Sequence, residues 1–281
     1  MKYKYVILLG IVAFAGFQAQ AKAASISLGT AQSFSVLGGS TVTNTGPSII
    51  TGDLGVSPGS AVTGFPPGIV TPPGTIHTAD AVASQAQADN KTAYNSLAGL
   101  NNPPPQNLTG QDLGGRTLTP GVYSFASSAQ LTGPLTLNTL NDPNALFVFQ
   151  IGSTLTTASN SSVLVSNGSD DPNVFWQVGS SATLGTGTQF QGNILARESI
   201  TLNTGANIEC GRALAQNGAV TLDTNTVSND CEAGPGPGPA PVPEPDSTFS
   251  ILGSGLVGLL FAFRKRHLSR LPAQSGTVTL R

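Results

Sequence analysis

The side chains that most often perform chemistry in proteins are scarce in this chain of 281 residues. It has two histidines and two cysteines, and His77 is the only histidine between residues 24 and 233. A Ser-His-Asp site would need His77 near a serine and a carboxylate, and no nucleophile-elbow pattern marks such a serine. A lone histidine in a loop is more typical of a surface or capping residue, and we interpret His77 in that way.

Paired carboxylates offer another route to catalysis, because two of them can hydrolyse a glycosidic bond. Asp170 and Asp171, however, precede a proline in a predicted turn, where acidic residues are good turn formers. Glu209 and Asp223 have the pattern of solvated corner residues. Polysaccharide lyases also use Lys or Arg, and only four basic residues lie between 24 and 233. The sequence therefore predicts that the protein is not an enzyme and needs no metal ion or cofactor.

Threonine is abundant where those residues are missing, and it recurs in a short motif. A threonine, a small residue, a variable residue and a polar residue follow one another at 157–160, 186–189 and 204–207, with a shortened version at 224–226. Stacked about 4.7 Å apart, as strands of one sheet are, these motifs form a stiff, uncharged ladder of hydroxyl and methyl groups. Such a ladder can order water in an ice-like arrangement. We therefore predict a binding surface made of Thr157, Ser159, Asn160, Thr186, Thr188, Gln189, Thr204, Ala206, Asn207, Thr224 and Thr226.

The same pattern has a plainer interpretation. Threonine is a good residue for any exposed strand, and adhesins also stack threonine and asparagine. The repeat alone does not decide between the two interpretations.

A second repeat indicates which elements position the motif. Thr-Leu-x-Thr begins at residues 136, 154, 183, 201 and 221, so most starts are about 20 residues apart, as in a solenoid. Two coils align well, and each holds three strand-length pieces joined at Gly or Asn. Leu184, Phe190 and Ile194 are expected to point inward, as are Leu202 and Ile208. We predict a mostly β fold, a three-sided solenoid.

One segment, from about 78 to 100, breaks this pattern. It contains no proline and no glycine before Gly99, and its apolar residues recur at helical spacing. Thr78 can cap the start, and Gly99 with the prolines at 103–105 ends the helix. We predict a single long helix packed along the solenoid through Val82, Ala86, Ala93, Leu97 and Leu100.

Cys210 and Cys231 are 21 residues apart, about one coil of the solenoid. Two cysteines supply too few ligands for a metal site. We predict that they form a disulfide between adjacent coils after export to an oxidising compartment.

Charge is sparse and unevenly distributed. Charged residues make up 9% of the chain, where soluble proteins average roughly 25%, which excludes an all-helical bundle with charged surfaces. Residues 24–233 hold 4 basic and 12 acidic side chains, a formal net charge of −8. An acidic domain repels phosphate backbones, so we predict no nucleic-acid partner.

The N-terminus has the pattern of a secretory signal peptide. Lys2 and Lys4 precede an apolar run over residues 5–17, and Ala21-Lys22-Ala23 offers small residues for cleavage. We predict that signal peptidase removes residues 1–23 and leaves a domain over 24–233.

The C-terminus carries a second signal. A Pro/Gly linker spans residues 234–245, and its last three residues are Pro243, Glu244 and Pro245. An apolar helix is predicted at 249–263. It is followed by the basic cluster Arg264-Lys265-Arg266 and by a tail at 267–281. Residues 242–266 resemble the PEP-CTERM sorting signal of Gram-negative bacteria that make exopolysaccharide. The resemblance implies an exosortase partner, and a membrane helix that anchors the protein in the inner membrane unless it is removed.

The region from about Ile26 to Val227 resembles the microbial ice-binding protein family. The resemblance rests on Phe34-Ser-Val-Leu-Gly-Gly39, Thr51-Gly-Asp-Leu-Gly-Val-Ser-Pro-Gly59, Phe147-Val-Phe-Gln-Ile-Gly152, Val174-Phe-Trp-Gln-Val-Gly179 and Gly192-Asn-Ile-Leu-Ala196. It implies a right-handed, discontinuous β-solenoid with a long helix alongside, coils that do not stack in chain order, and ice binding through one flat face.

Taken with this resemblance, the sequence predicts an exported protein that adsorbs to ice crystals and inhibits their growth or recrystallisation. The expected location is outside the cell, at the surface or in the extracellular matrix, with exopolysaccharide as a further partner. The alternative function is an adhesin that binds matrix polysaccharide. An enzyme acting on exopolysaccharide is a third alternative, which a buried carboxylate pair in a cleft would support.

Overall fold

The computed structural model describes residues 26–101, 104–168 and 173–231. The predicted signal peptide, the turn at 169–172, the linker and the sorting signal lie outside these residues. Within them, no helix is both long and apolar enough to span a membrane.

The described residues form a β-solenoid in which all paired strands are parallel. One sheet of seven strands forms one face. The larger sheet bends and forms the other two faces, because Gln189–Ala196 and Asn207–Ala215 both run through the corner between them. Each full coil therefore has three sides, as the sequence predicts.

The three faces are named here by what covers them. The threonine face consists of Thr41–Thr45, Ala61–Thr63, Ala129–Leu131, Leu155–Thr157, Ala182–Leu184, Ile200–Leu202 and Val220–Asp223. The helix-covered face consists of Phe34–Gly38, Asp53–Val56, Ile76–Thr78, Gln106–Asn107, Gly121–Phe125, Leu146–Ile151, Asn173–Val178 and the second halves of the two long strands. The third face consists of Ile49–Thr51, Ile69–Thr71, Thr117–Leu118, Pro134–Asn138, Ser162–Ser166, Thr226–Ser228 and the first halves of those strands.

The coils do not stack in chain order. Strand Phe34–Gly38 pairs with Asn207–Ala215, Thr41–Thr45 pairs with Val220–Asp223, and Ile49–Thr51 pairs with Thr226–Ser228. The first coil of the chain therefore lies against the last, and the solenoid is discontinuous.

The interior is apolar along its whole length. Leu184, Phe190 and Ile194 are fully buried, and so are their counterparts Leu202 and Ile208, which confirms the predicted inward positions. Aromatic rings form a column through successive coils, and the Phe149 and Trp176 rings stack with centroids 3.9 Å apart. The shape of each coil is thus held by close packing of its own side chains.

The predicted helix spans Ala81–Ala98, after a short 3-10 helix at Gly29–Ser33. Its N-cap is Asp80, whose carboxylate accepts a hydrogen bond from the Ala83 N–H, so the predicted Thr78 cap is wrong. Thr78 instead ends a strand. A carboxylate at the N-cap satisfies backbone donors that have no partner within the helix.

The buried side of the helix is rotated slightly from the predicted one. Its fully buried apolar residues are Ala83, Ala86, Ala93 and Leu97, and the last three pack in one cluster with Leu37, Val148, Phe175, Leu195 and Leu214. The prediction for Val82 is wrong, because that side chain is 41% exposed. Small alanines let the helix lie close to the sheet, and the helix thereby shields one of the three faces from solvent.

Candidate functional site

Six threonines and one glutamine stand in register across all seven strands of the threonine face. Adjacent strands pair Thr63 with Thr43, Thr43 with Thr221, Thr221 with Thr201, Thr201 with Thr183, Thr183 with Thr156, and Thr156 with Gln130. We call these seven residues the threonine row. Six inter-strand steps of about 4.8 Å give the row a length of about 29 Å.

Strand alternation explains why these threonines point outward. Ile200 and Leu202 are buried in the core on either side of Thr201, and Val220 and Leu222 likewise flank Thr221. Successive side chains of a strand point to opposite sides of the sheet. The threonine between two core residues must therefore face solvent.

A second row of small residues, five with hydroxyl groups and two alanines, runs beside the first, two residues earlier in each coil. This flanking row consists of Thr41, Ala61, Ser128, Thr154, Ser181, Ser199 and Ala219. Its hydroxyl groups make lateral contacts, such as the 2.8 Å hydrogen bond from Thr154 Oγ1 to Ser128 Oγ. Along each strand the two rows are about 6.6 Å apart.

The two rows form a regular, uncharged surface. Neither row contains an ionisable side chain, and carboxylates stand at the margins: Asp112 pairs with Gln130 at the end of the threonine row, and Asp223 accepts a hydrogen bond from Thr204 Oγ1 at the edge. Threonine is stiff at χ1 because its β-carbon is branched. The hydroxyl and methyl groups are consequently held in fixed positions by the backbone before any ligand arrives.

The residues predicted from the four-residue motif lie elsewhere, mostly at the corner between the threonine face and the third face. Thr157, Thr188 and Ala206 are buried, so their assignment to a binding surface is wrong. Thr157 Oγ1 and Thr188 Oγ1 hydrogen-bond to each other at 2.8 Å inside the solenoid. The Asn225 amide similarly donates to Ala206 O at 2.7 Å.

Four coils turn this corner with one residue of left-handed backbone. Asn160, Gly187, Gly205 and Thr224 adopt left-handed backbone with φ of 58°, 69°, 69° and 56°. Glycine and asparagine accept this conformation best. The next residue is buried, and at three corners its side chain, Ser161, Thr188 or Asn225, donates to backbone carbonyls, while Ala206 occupies this position at the fourth. The left-handed residue is second in the motifs at 186–189 and 204–207, fourth at 157–160 and first at 224–226, so the motif recurs near the corner without its residues being structurally equivalent in every coil.

The other predicted residues are at least partly exposed, but they do not lie on the flat face. They are Ser159, Asn160, Thr186, Gln189, Thr204, Asn207, Thr224 and Thr226. Gln189, Asn207 and Thr226 begin strands of the third face. A contact between these residues and a ligand stays a prediction.

Sequence reasoning missed the threonine row, although the signal was present. In Thr183-Leu184, Thr201-Leu202 and Thr221-Leu222 the threonine of each Thr-Leu repeat has an apolar residue on both sides. That alternation predicts an exposed threonine. The repeat at 154–157 is offset by two residues, because Thr156 rather than Thr154 pairs with Thr183.

The predicted disulfide is present and joins Cys210 to Cys231, with Cα atoms 4.4 Å apart. Cys210 is an extra residue in its strand, since Gln191 pairs with Glu209 and Gly192 pairs with Gly211. The bond ties this bulge to the last described residue.

His77 lies in the strand Ile76–Thr78 rather than in a loop, and it supports the helix cap Asp80 instead of being the cap itself. Its Nδ1 lies 2.7 Å from Asp80 Oδ2 and its Nε2 lies 2.9 Å from Thr75 Oγ1. The Ala83 N–H and then the His77 ring lower the pKa of the Asp80 carboxyl. These contacts fix the start of the helix against the sheet. Among the described residues, no three His, Cys, Asp or Glu side chains are grouped to hold a metal ion.

Comparison with known proteins gives two family matches. Residues 36–228 match the ice-binding-like family, and residues 241–266 match the PEP-CTERM protein-sorting motif. The second match includes the predicted motif Pro243, Glu244 and Pro245.

Individual relatives agree with the first match. An ice-binding protein of Nostoc sp. (strain HG1) is 73% identical over 94% of this chain and 96% of its own. One from Flavobacterium frigoris (strain PS1) is 35% identical over 72% of this chain and 76% of its own.

Solved structures of similar proteins have the same fold. An ice-binding protein from an Antarctic biological consortium is 47% identical, with a TM-score of 0.69 over 80% of this chain and 96% of its own. That of the Antarctic ascomycete Antarctomyces psychrotrophicus is 41% identical, with a TM-score of 0.67 over 73% of this chain and 98% of its own. Because these solved chains match along almost their whole length, a domain of this extent folds on its own.

Proposed function

The chain belongs to the ice-binding-like family, whose named relatives are ice-binding proteins rather than enzymes, and on that premise we propose that it is exported and adsorbs to ice through its threonine face. The observation that carries the proposal is the threonine row, which repeats threonine at one spacing on six adjacent strands, over about 24 Å, before it ends at Gln130.

Ice is a regular solid, so a protein that binds it must present groups at regular intervals. Water molecules held by the threonine hydroxyls and excluded by the methyls occupy repeating positions along and across the strands. Charged groups would instead keep hydration shells of their own arrangement. Once the protein is adsorbed, ice can grow only in the gaps between bound molecules, where the curved front is less stable than a flat one. This inhibits growth and recrystallisation.

The other two faces are less suited to this task. The helix covers most of one face. The third face mixes the exposed apolar side chains of Ile49, Ile69 and Leu164 with the carboxylate of Glu209. The exposed side chains of this face therefore differ in size and in charge.

The C-terminal match supports export and sorting. We propose that an exosortase processes the signal at 241–266, that the apolar stretch 249–263 anchors the protein in the inner membrane of a Gram-negative bacterium until then, and that the protein is released to the cell surface or exopolysaccharide. The Cys210–Cys231 disulfide fits an oxidising compartment. At the surface the protein would keep liquid channels open around the cell or hold the cell at ice.

The proposal is tested by recrystallisation inhibition with purified residues 24–233. Thr201→Tyr with Thr221→Tyr places two bulky rings in the threonine row, and loss of activity is expected. Thr186→Tyr with Thr204→Tyr makes the same change at the corner and serves as the matched control, with activity retained. Loss in the corner variant alone would move the site to the corner. No inhibition by the unmodified protein would overturn ice binding itself.

A further inference from the structure

A polar groove lies where the helix stops covering its face. Asn107, Ser124, Gln150 and Gln177 stand in register on four adjacent strands and point away from the core. In the next strands the same row continues as Leu195, Leu214 and Leu37, which the helix buries. The row thus changes from apolar to polar at the point where the helix no longer shields it.

The helix end forms one wall of this groove. The Gln150 amide donates hydrogen bonds to Leu97 O and Leu100 O, each 2.8 Å long, and so fixes the last turn against the sheet. Tyr94, one turn earlier, lines the groove with its aromatic ring. The resulting space has a volume of about 420 Å³.

Two side chains in the groove have unused hydrogen-bonding groups. Gln177 is only 7% exposed, and its side-chain amide makes no hydrogen bond to any described residue. Arg197 lies at the groove's edge, and its guanidinium likewise has no hydrogen bond or ion pair within the described part of the chain. The Gln177 amide is not among the side-chain atoms that are fully shut off from solvent, so it faces the groove, where water or a ligand can satisfy it.

We propose that this groove binds a carboxylate-bearing saccharide. Amide and hydroxyl groups of the polar row can hydrogen-bond to sugar hydroxyls. The Tyr94 ring offers an apolar surface for the face of a pyranose ring. Arg197 supplies a planar pair of donors that matches a carboxylate. Arg197 is the one formally charged side chain among the residues that line the groove, and this local positive charge, rather than the net charge of the domain, favours an acidic sugar over a neutral one.

The groove lies next to the threonine face. Gly152, Gly179 and Arg197 line the groove. Two residues after each of them, the chain reaches a member of the flanking row on the threonine face. The two surfaces therefore meet at one corner of the solenoid without sharing a residue. One molecule can hold an acidic matrix saccharide while its threonine face rests on ice. The saccharide site does not depend on ice binding.

The test is titration calorimetry of residues 24–233 with a tetrasaccharide of galacturonic acid, and with maltotetraose as the neutral probe. We expect binding of the acidic probe and weaker binding of the neutral one. Arg197→Ala and Gln177→Leu are each expected to weaken binding about tenfold, the effect of one lost hydrogen bond to a charged or buried partner.

Two controls make the result specific. Lys91→Ala removes an exposed positive charge outside the groove, and Thr201→Tyr changes the threonine face. Both are expected to leave saccharide affinity unchanged, and circular dichroism checks that every variant is folded. The proposal is overturned by the absence of binding at millimolar probe, by equal affinity for both probes, or by equal losses in Lys91→Ala and Arg197→Ala. Ice binding lost in Thr201→Tyr with saccharide binding intact separates the two proposals.

Discussion

The Oγ1 atoms of Thr43 and Thr221 lie 3.4 Å apart on adjacent strands of the threonine face, although 178 residues separate them in the chain. This contact joins the first coil of the chain to the last. The threonine row is continuous only because these two coils stack on each other. Its full length therefore depends on tertiary structure, not on the local repeat alone.

The first prediction tests that continuity. Thr43→Tyr is expected to reduce recrystallisation inhibition as strongly as Thr221→Tyr, because both rings interrupt the same row. Thr226→Tyr changes an exposed threonine of the third face, in the same coil as Thr221, and is expected to have little effect. If Thr43→Tyr keeps full activity while Thr221→Tyr loses it, the first two coils do not belong to the binding surface.

Much of the fold follows from the sequence alone. The repeat near 20 residues predicts a solenoid. The apolar residue in each strand predicts which side chains point into the core, as Leu184, Phe190 and Ile194 do, because apolar side chains are stabilised by burial. The helix is predicted to within a few residues of Ala81–Ala98, because that segment alone lacks Pro and internal Gly.

The binding surface is harder to predict, for a physical reason. Side chains change sides whenever a strand passes a corner, and left-handed residues such as Gly187 reset the alternation. Thr157 occupies the inward position that Leu184 takes in the next coil, so a threonine there is not evidence of exposure. Buried corner residues are as periodic as surface residues, and only the paired strands distinguish them.

The second prediction concerns the disulfide. Replacing both Cys210 and Cys231 with serine opens a loop of 21 residues and is expected to lower the free energy of unfolding by about 3 kcal/mol. Urea titration measures the change. Dithiothreitol should destabilise the unmodified protein by a similar amount and leave the double variant unaffected. An unchanged unfolding midpoint would show that the bond does not stabilise the last coil.

The third prediction is a pH dependence of helix docking. The Asp89 carboxylate accepts a 2.7 Å hydrogen bond from the Thr30 N–H, which is the main cause of its lowered pKa, and the Ala83 N–H lowers that of Asp80. A pKa lowered by folding stabilises the folded state above the unfolded value of about 3.9, and the stabilisation is lost as pH falls through the folded value.

Acidification below about pH 4 should therefore increase amide hydrogen exchange in the helix and in residues 29–33 before the strands exchange. Asp89→Asn removes the charge, and it is expected to flatten the pH dependence at the Thr30 amide. Gln85→Ala removes a weaker donor to Asp89, so it is expected to raise the Asp89 pKa slightly and move the same pH dependence to higher pH without abolishing it. If acidification does not increase amide hydrogen exchange in the helix and in residues 29–33 of the unmodified protein, the carboxylates of Asp80 and Asp89 do not control helix docking.

The last prediction distinguishes buried from exposed threonines. Thr188 is fully buried, and its Oγ1 contacts Thr157 Oγ1, which also accepts from the Gly185 N–H at 2.8 Å. Thr188→Val keeps the shape of the side chain but breaks this network. We expect the free energy of unfolding to fall by about 1–3 kcal/mol, the cost of leaving buried polar groups unpaired, with ice activity retained in the cold.

Thr201→Val makes the same chemical change on the threonine row. It removes a solvent-facing hydroxyl, so the free energy of unfolding is expected to change by less than about 0.5 kcal/mol. Recrystallisation inhibition should fall instead, because one repeat of the row can no longer hold its water molecule by a hydrogen bond. The opposite pattern, with stability lost at Thr201 and activity lost at Thr188, would place the functional surface at the corner and refute the structural role assigned to Thr188.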